Sequence, residues 1–116
     1  MVEKLVEIIG DKWSLLIIGQ LVYGKSPGRF NELMKELKPI SSRTLSIKLA
    51  KLIDCGIVNK EIKNASPPFT NYTLTEKGLG LVSAFNAMAN WSLKWLSPSN
   101  LANFTKSKSN ELTNKS

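Results

Sequence analysis

The segment from residue 40 to residue 56 constrains the fold more than any other part of the chain, because it holds the signals that start and end one helix. Ser41 suits the N-cap, where a hydroxyl oxygen accepts a hydrogen bond from a backbone N–H without a partner inside the helix. Gly56 suits the left-handed cap that often ends a helix. Between them, one apolar stripe recurs at helical spacing, formed by Leu45, Leu49, Leu52 and Ile53. The segment therefore predicts an amphipathic helix with a defined start and stop.

The opposite face of this predicted helix is basic and rich in hydroxyl groups. It has no acidic residue before Asp54, and it consists of Ser42, Arg43, Ser46, Ile47, Lys48 and Lys51. A helix that buries leucines on one side and presents cationic and hydroxyl side chains on the other is suited to the major groove of DNA. We therefore treat it as a candidate recognition helix.

Length and charge limit the class of protein. The chain has 116 residues, of which 42% are hydrophobic, which is enough for one compact domain with its own core. Lysine and arginine number 16 against 9 acidic residues, so the net charge is +7. This balance favours polyanions such as nucleic acid, or an anionic membrane surface. The single cysteine, Cys55, excludes an intramolecular disulfide and fits a reducing compartment.

Neither a targeting segment nor a membrane span is predicted. The longest apolar run, at residues 15–18, is far shorter than the ~20 residues that a membrane-spanning helix needs. Glu3 and Glu7 stand where a signal peptide would be basic and then apolar. We therefore expect a cytoplasmic protein without a membrane partner.

The rest of the sequence predicts four more helices and one β-hairpin within a single domain over residues 1–96. The helices are expected at about residues 2–9, 12–22, 32–38 and 75–96, with Asp11 and Asn31 as caps. Two β-rich runs, at 57–63 and 69–74, flank a proline-containing tip. The predicted fold is therefore mainly α with a small β-hairpin, a winged helix-turn-helix in which the hairpin is the wing. Residues 97–116 are polar and are expected to form a mobile tail.

The predicted helix over residues 75–96 would be ~30 Å long, more than one small domain can cover. Its second apolar seam steps by three and four residues, as helix-on-helix seams do: Leu81, Ala84, Met88, Trp91 and Trp95. Exposing such a seam is unfavourable for a monomer. We therefore predict a homodimer, to which the first helix adds Val2, Leu5, Val6 and Ile9. The alternative is that this seam packs on the first helix of its own chain.

Catalysis has little support in the sequence. The chain has no histidine, the commonest general base and metal ligand, and its one cysteine cannot form the cysteine pair of a zinc site. Gly78-Leu79-Gly80 lacks the preceding strand and turn of a dinucleotide-binding fingerprint. We therefore expect no enzyme, no metal site and no cofactor, and the sequence does not indicate a pocket for an effector.

Four stretches resemble the HxlR-type winged-helix transcription regulators of bacteria and archaea. They lie at residues 9–17, 29–33, 40–46 and 72–78, they keep the family order, and the resemblance covers about residues 7–96. The Lys12-Trp13 pair, a Ser-x-Arg-Thr-Leu run and a Tyr-x-Leu-Thr-x-x-Gly run are its most specific motifs. The resemblance implies a MarR-like winged helix, a dimer built on the first and last helices, and a fourth helix that reads DNA.

Two features depart from the pattern of this family. Many members carry a sensing cysteine followed by proline just before the first helix, and this sequence has neither residue there, so we expect that switch to be absent. Cys55 instead follows the candidate recognition helix, either as a small buried residue or as a sensor. Ile47 stands where the family often has a long polar side chain, and it could contact a thymine methyl group or pack inward.

The sequence-based hypothesis is a homodimer whose two recognition helices enter successive major grooves ~34 Å apart and read an inverted repeat in double-stranded DNA. Arg43 is the preferred base contact, because a guanidinium can bond guanine O6 and N7 together. Lysines on the recognition helix and on the wing would neutralise phosphates of the DNA backbone. The N-terminal end of the third helix could bind a further phosphate. The predicted contacts are Arg29, Asn31, Ser41, Ser42, Arg43, Thr44, Ser46, Ile47, Lys48, Lys51, Lys60 and Lys63.

Other readings of the same residues stay open. The chain could coat DNA without choosing sites, as chromatin proteins do, or its basic face could bind RNA or an acidic protein. Lys48 and Lys51 could form only a solvated helix face. Thr44 could return its hydroxyl group to the backbone at the helix start.

Overall fold

The structure is a computed structural model that describes residues 1–24, 28–96 and 98. The described residues divide into two units, one that ends at Val82 and one that begins at Ser83. The first unit contains, in chain order, α1 (Val2–Ile9), α2 (Lys12–Tyr23), α3 (Phe30–Glu36), α4 (Ser42–Asp54), β1 (Val58–Lys63), β2 (Phe69–Leu74) and α5 (Glu76–Leu79). The second unit contains α6 (Val82–Trp95), which begins at the boundary. Apart from Pro98, the tail predicted at residues 97–116 lies outside the described residues.

The element order confirms the predicted fold, mainly α with a small β-hairpin. The strands β1 and β2 pair antiparallel, from Val58 opposite Leu74 to Lys63 opposite Phe69. Arg29 forms an isolated antiparallel bridge with Asn71, so the segment before α3 lies along the outer edge of β2. The hairpin thus follows α4 directly and is tied to the start of α3.

The apolar stripe of α4 lies at the centre of the core of the first unit. Leu45, Leu49 and Leu52 are 0%, 1% and 0% exposed. The α4 helix contacts both α2 and β1. The side chains buried with this stripe in the same unit are Ile17, Ile18, Leu33, Leu37, Ile40, Ile57, Val58 and Tyr72. Full burial of a leucine contributes about 1.5–3 kcal/mol, so the stripe strongly fixes which face of α4 is turned outward.

Both predicted ends of α4 are confirmed. Ser41 is the N-cap, and its hydroxyl oxygen accepts the Thr44 backbone N–H at 3.1 Å. At the other end Gly56 has φ +75°, a left-handed conformation that favours glycine. The Thr75 hydroxyl donates to the Gly56 carbonyl and accepts the Gly78 N–H at 3.0 Å. The end of α4 is therefore joined to the start of α5.

The start predicted for α3 was wrong. Asn31 does not cap this helix, which begins at Phe30 with Arg29 in the N-cap position and without a side-chain capping bond. The Phe30 ring lies 6.5 Å from the Tyr72 ring, and Arg29 is bridged to Asn71. These contacts with β2 fix where the extended segment stops, and they override the capping preference of Asn31.

The single helix predicted over residues 75–96 is interrupted. The α5 helix ends at Leu79 and α6 begins at Val82, so Leu81 lies in a turn rather than on a helical seam. The Leu81 N–H donates to the Gly78 carbonyl at 3.0 Å, which closes a tight turn of four residues. Gly78 and Gly80 each disfavour helix by about 1 kcal/mol relative to alanine, which explains why the chain breaks here.

Asp11 caps α2, as predicted, and also links α2 to α4. Its carboxylate accepts the Ser14 backbone N–H at 2.9 Å and lies 3.1 Å from Lys51 Nζ and 3.5 Å from Lys48 Nζ. Partial burial acts to raise the pKa of Asp11, but the hydrogen bond from Ser14 and the two lysines outweigh it. The pKa of Asp11 is therefore held well below its usual value of 3.8.

We predict that Asp11→Ala lowers the free energy of unfolding by about 1–2 kcal/mol at pH 7, chiefly through loss of the N-cap. Asp11→Asn is the matched control, since it keeps a capping oxygen and removes only the charge. Because Asp11 is about one-third exposed, that charge contributes less than about 1 kcal/mol. Urea denaturation of the three proteins gives these differences.

The same comparison has a defined pH dependence. A carboxyl group whose pKa is lower in the folded chain stabilises it above the unfolded-state pKa, and this contribution is lost as the pH falls. The difference between the original chain and Asp11→Asn should therefore be constant from pH 7 to about pH 5 and shrink below pH 3.8. A difference that stays constant down to pH 3 would contradict this account.

Candidate nucleic-acid interface

The outward face of α4 brings together three of the predicted contact residues. Arg43, Ser46 and Ile47 are exposed, and Ala50 continues the same side of the helix. We call these four residues the recognition face. Within it there is no acidic side chain, and Asp54 follows only at the last position of the helix. The arrangement offers a guanidinium, a hydroxyl and two apolar groups to a ligand.

The N-terminal end of α4 uses part of its hydroxyl groups for its own structure. Ser41 donates to the Thr44 hydroxyl oxygen at 2.9 Å and accepts the Thr44 N–H. Thr44 is half-buried, whereas Ser41 and Ser42 are exposed. The Thr44 hydroxyl therefore bonds the side chain of the capping residue Ser41, not the backbone as the alternative from the sequence would have it. Ser42 and Ser46 keep exposed hydroxyl groups beside Arg43.

Lys48 and Lys51 flank the recognition face and extend toward α2. Both ammonium groups lie within ion-pair distance of Asp11, and their side chains are only 27% and 33% exposed. Their predicted role at phosphates remains a prediction, but their charge is partly neutralised inside the chain. The pairing was missed because Asp11 and Lys51 are 40 positions apart and nothing in a local pattern connects them.

The two lysines predicted for the wing lie on opposite faces of β1, because successive residues of a strand alternate. Lys63 pairs with Glu61 at 2.9 Å. Lys60 is exposed, and within the described part of the chain it forms no ion pair. Lys60 is therefore the cation on the wing with the greater freedom to bind a phosphate.

A further cation lies at the tip end of the wing, where Phe69 is opposite Lys63. The Arg29 guanidinium carbon lies 3.8 Å from the centroid of the Phe69 ring, at the start of β2. A guanidinium stacked in this way keeps its in-plane N–H groups available for a phosphate. Asn31 is exposed at the same end of α3, and a groove of about 640 Å³ lies between this end and the wing tip. Phe69 was missed as a site residue because an aromatic residue at that position also fits a strand.

Exposed apolar side chains lie on α1 and, separately, on α6. Val2, Leu5 and Val6 are exposed, Ile9 is half-buried, and α1 has no buried residue. On α6, Ala84 and Met88 are exposed, and Trp91 and Trp95 are 57% and 52% exposed. The predicted dimer residues are thus exposed on these helices, except that Ile9 is half-buried on α1 and Leu81 is half-buried in its turn.

The described residues contain no group of three or more histidine, cysteine or acidic side chains placed to hold a metal ion. Within the same ranges, no helix is both long and apolar enough to cross a bilayer. The Cys55 thiol is free and half-buried, and the Cys55 carbonyl accepts a hydrogen bond from Lys77 Nζ at 2.7 Å.

The chain is similar to known helix-turn-helix proteins in both sequence and fold. A family model for HxlR-like helix-turn-helix proteins matches residues 8–100. The HTH-type transcriptional regulator YvaP of Bacillus subtilis is 34% identical over 97 residues, which span 84% of this chain and 88% of YvaP. The reduced form of the transcriptional regulator YodB from B. subtilis has a TM-score of 0.70 at 32% identity, covering 83% of this chain and 92% of that chain.

A second solved structure, that of the HTH-type transcriptional regulator YtcD, has a TM-score of 0.74 at 29% identity. It covers 83% of this chain and 96% of that chain. The fold, the four matching stretches and the extent of the family match lead to one conclusion. The chain belongs to the HxlR-like helix-turn-helix family, whose members compared here are transcriptional regulators.

Proposed function

We propose that this protein is a sequence-specific transcriptional regulator that binds double-stranded DNA as a homodimer on an inverted repeat. One observation carries the proposal: three almost fully buried leucines hold Arg43 and its neighbours on the outward face of α4. Membership of the family supports DNA binding in general. No catalytic role is proposed, and a regulator of chromosomal DNA would act in the cytoplasm.

Arg43 is the second residue of α4, at the end of the helix that enters the groove first in helix-turn-helix proteins. Its guanidinium can donate two hydrogen bonds to guanine O6 and N7, a pairing that discriminates against other bases by about 1–3 kcal/mol. Ser42 and Ser46 lie beside it with exposed hydroxyl groups. Arg43 is therefore the residue on which we place base recognition.

Lys60 on the wing and Arg29, stacked on Phe69 near the wing tip, would bind phosphates and set the register of the protein on DNA. Each neutralised phosphate releases condensed counterions, which makes affinity fall with salt. Lys48 and Lys51 contribute less in this scheme, because Asp11 shares their charge.

The homodimer rests on the exposed apolar residues of α1 and α6. Met88, Trp91 and Trp95 together form a large apolar surface, which is unfavourable in water and typical of a protein interface. A twofold axis between two copies would place two recognition helices ~34 Å apart, the repeat of the major groove. The inverted repeat follows from this symmetry.

We predict that Arg43→Ala weakens binding to a duplex selected by the protein from random sequence by about 1–3 kcal/mol. The affinity for unselected DNA should fall by no more than the loss of one phosphate contact would cause. Arg43→Lys is the matched control, because it keeps the charge and loses the paired hydrogen bonds. This variant should also bind the selected duplex more weakly. Equal losses on both DNAs would instead favour a protein that coats DNA.

We predict that Lys60→Ala lowers the slope of log affinity against log salt by about 0.9, the value for one phosphate contact on duplex DNA. Lys60→Arg should leave the slope unchanged. Lys51→Ala should lower it by less, because Asp11 already shares that charge. Fluorescence anisotropy at several salt concentrations measures these slopes, and an unchanged slope for Lys60→Ala would mean that the wing does not reach the backbone.

We predict that Trp91→Lys converts the protein largely to monomer in sedimentation at micromolar concentration. A charged side chain in the apolar seam would have to be buried without a partner, which costs several kcal/mol. Leu93→Lys is the matched control, since Leu93 is 80% exposed and lies on the opposite side of α6. If both variants sediment like the original chain, α6 does not form the dimer.

A further inference from the structure

Ile47 is the exposed apolar residue at the middle of the recognition face. It is 55% exposed, although the neighbouring positions Leu45 and Leu49 are buried in the core. The sequence left open whether Ile47 packs inward, and the structure shows that it does not. Arg43 lies one helical turn before it, and Ala50 lies almost one turn after it, both exposed.

An isoleucine at this position gains little in the free protein. Its branched side chain has few rotamers in a helix, and more than half of its surface remains exposed to water. A major groove presents one apolar group at its base edges, the C5-methyl group of thymine. The recognition face carries no acid that would repel DNA, so the same face that offers Arg43 to guanine offers Ile47 to a methyl group.

We propose that Ile47 is a specificity-determining residue that contacts the C5-methyl group of a thymine in each half-site. Ile47 follows Arg43 by four residues, which is ~6 Å along the helix axis. Base pairs are ~3.4 Å apart, so the thymine lies within about two base pairs of the guanine that Arg43 binds. This inference rests on the proposed function and adds a base preference to it.

The test uses deoxyuridine, which pairs as thymine does and lacks only the C5-methyl group. A duplex selected by the full chain from a random-sequence library is synthesised with thymine or with deoxyuridine at each thymine position in turn. The original chain should bind about ten- to twentyfold more weakly when one thymine of each half-site is replaced, because the dimer then loses two methyl contacts. At that position, Ile47→Ala should bind thymine and deoxyuridine duplexes equally.

Ile47→Val and Leu93→Ala are the control variants. Ile47→Val keeps two branched methyl groups and should retain part of the discrimination, while Leu93→Ala, which truncates an exposed apolar side chain outside the recognition face, should retain all of it. All three substitutions are at exposed positions, so thermal unfolding should be nearly unchanged. This separates a loss of contact from a loss of fold.

The possible failures are distinguishable. The thymine contact is wrong if selection enriches a motif but deoxyuridine has no effect at any position, or if Ile47→Ala discriminates between thymine and deoxyuridine as the original chain does. Neither result contradicts the proposed sequence-specific regulator. If selection enriches no motif while DNA is still bound, sequence-specific regulation is itself wrong, and the thymine contact is overturned with it.

Discussion

The rotational setting of α4 depends on the burial of one leucine stripe, and the rest of the candidate site depends on that setting. Leu45, Leu49 and Leu52 are almost completely buried. A rotation of α4 by one residue would expose part of this stripe and turn charged side chains toward the core. Each buried leucine contributes about 1.5–3 kcal/mol, and burying an unpaired charge costs still more, so the alternative settings are excluded. The core thereby determines which side chains are offered to a ligand.

Contacts at both ends and along one side hold α4 in place. Ser41 and Thr44 close its first turn, and the Thr75 hydroxyl and Lys77 Nζ bond backbone carbonyls just beyond its last turn. Along its side, Asp11 binds two lysines. A recognition element that is already ordered loses less conformational entropy on binding. This ordering is what allows a few exposed side chains to read a ligand with defined geometry.

Local signals in the sequence predicted most of what local interactions decide, except for the break between α5 and α6 at Gly78 and Gly80. The start and end of α4, the cap at Asp11 and the hairpin all follow from residues close together in the chain. Asn31 failed as a cap because the contact between Phe30 and Tyr72 comes from a distant strand. The ion pairs of Asp11 with α4 were also missed, because Asp11 and Lys51 are 40 positions apart in the sequence. The contacts with DNA and with a second copy remain predictions, because they depend on partners outside the chain.

Under the proposed function, in which the protein binds specific sites on a chromosome, the ion pairs of Asp11 have a consequence for non-specific binding. Non-specific residence on DNA depends on the number of mobile positive charges, whereas discrimination depends on contacts with base edges. By occupying two lysines next to the recognition face, Asp11 reduces the attraction that every DNA segment would share. An acidic residue beside the recognition face thus shortens the time that the protein spends bound to non-specific DNA, and it thereby speeds the search for the specific site.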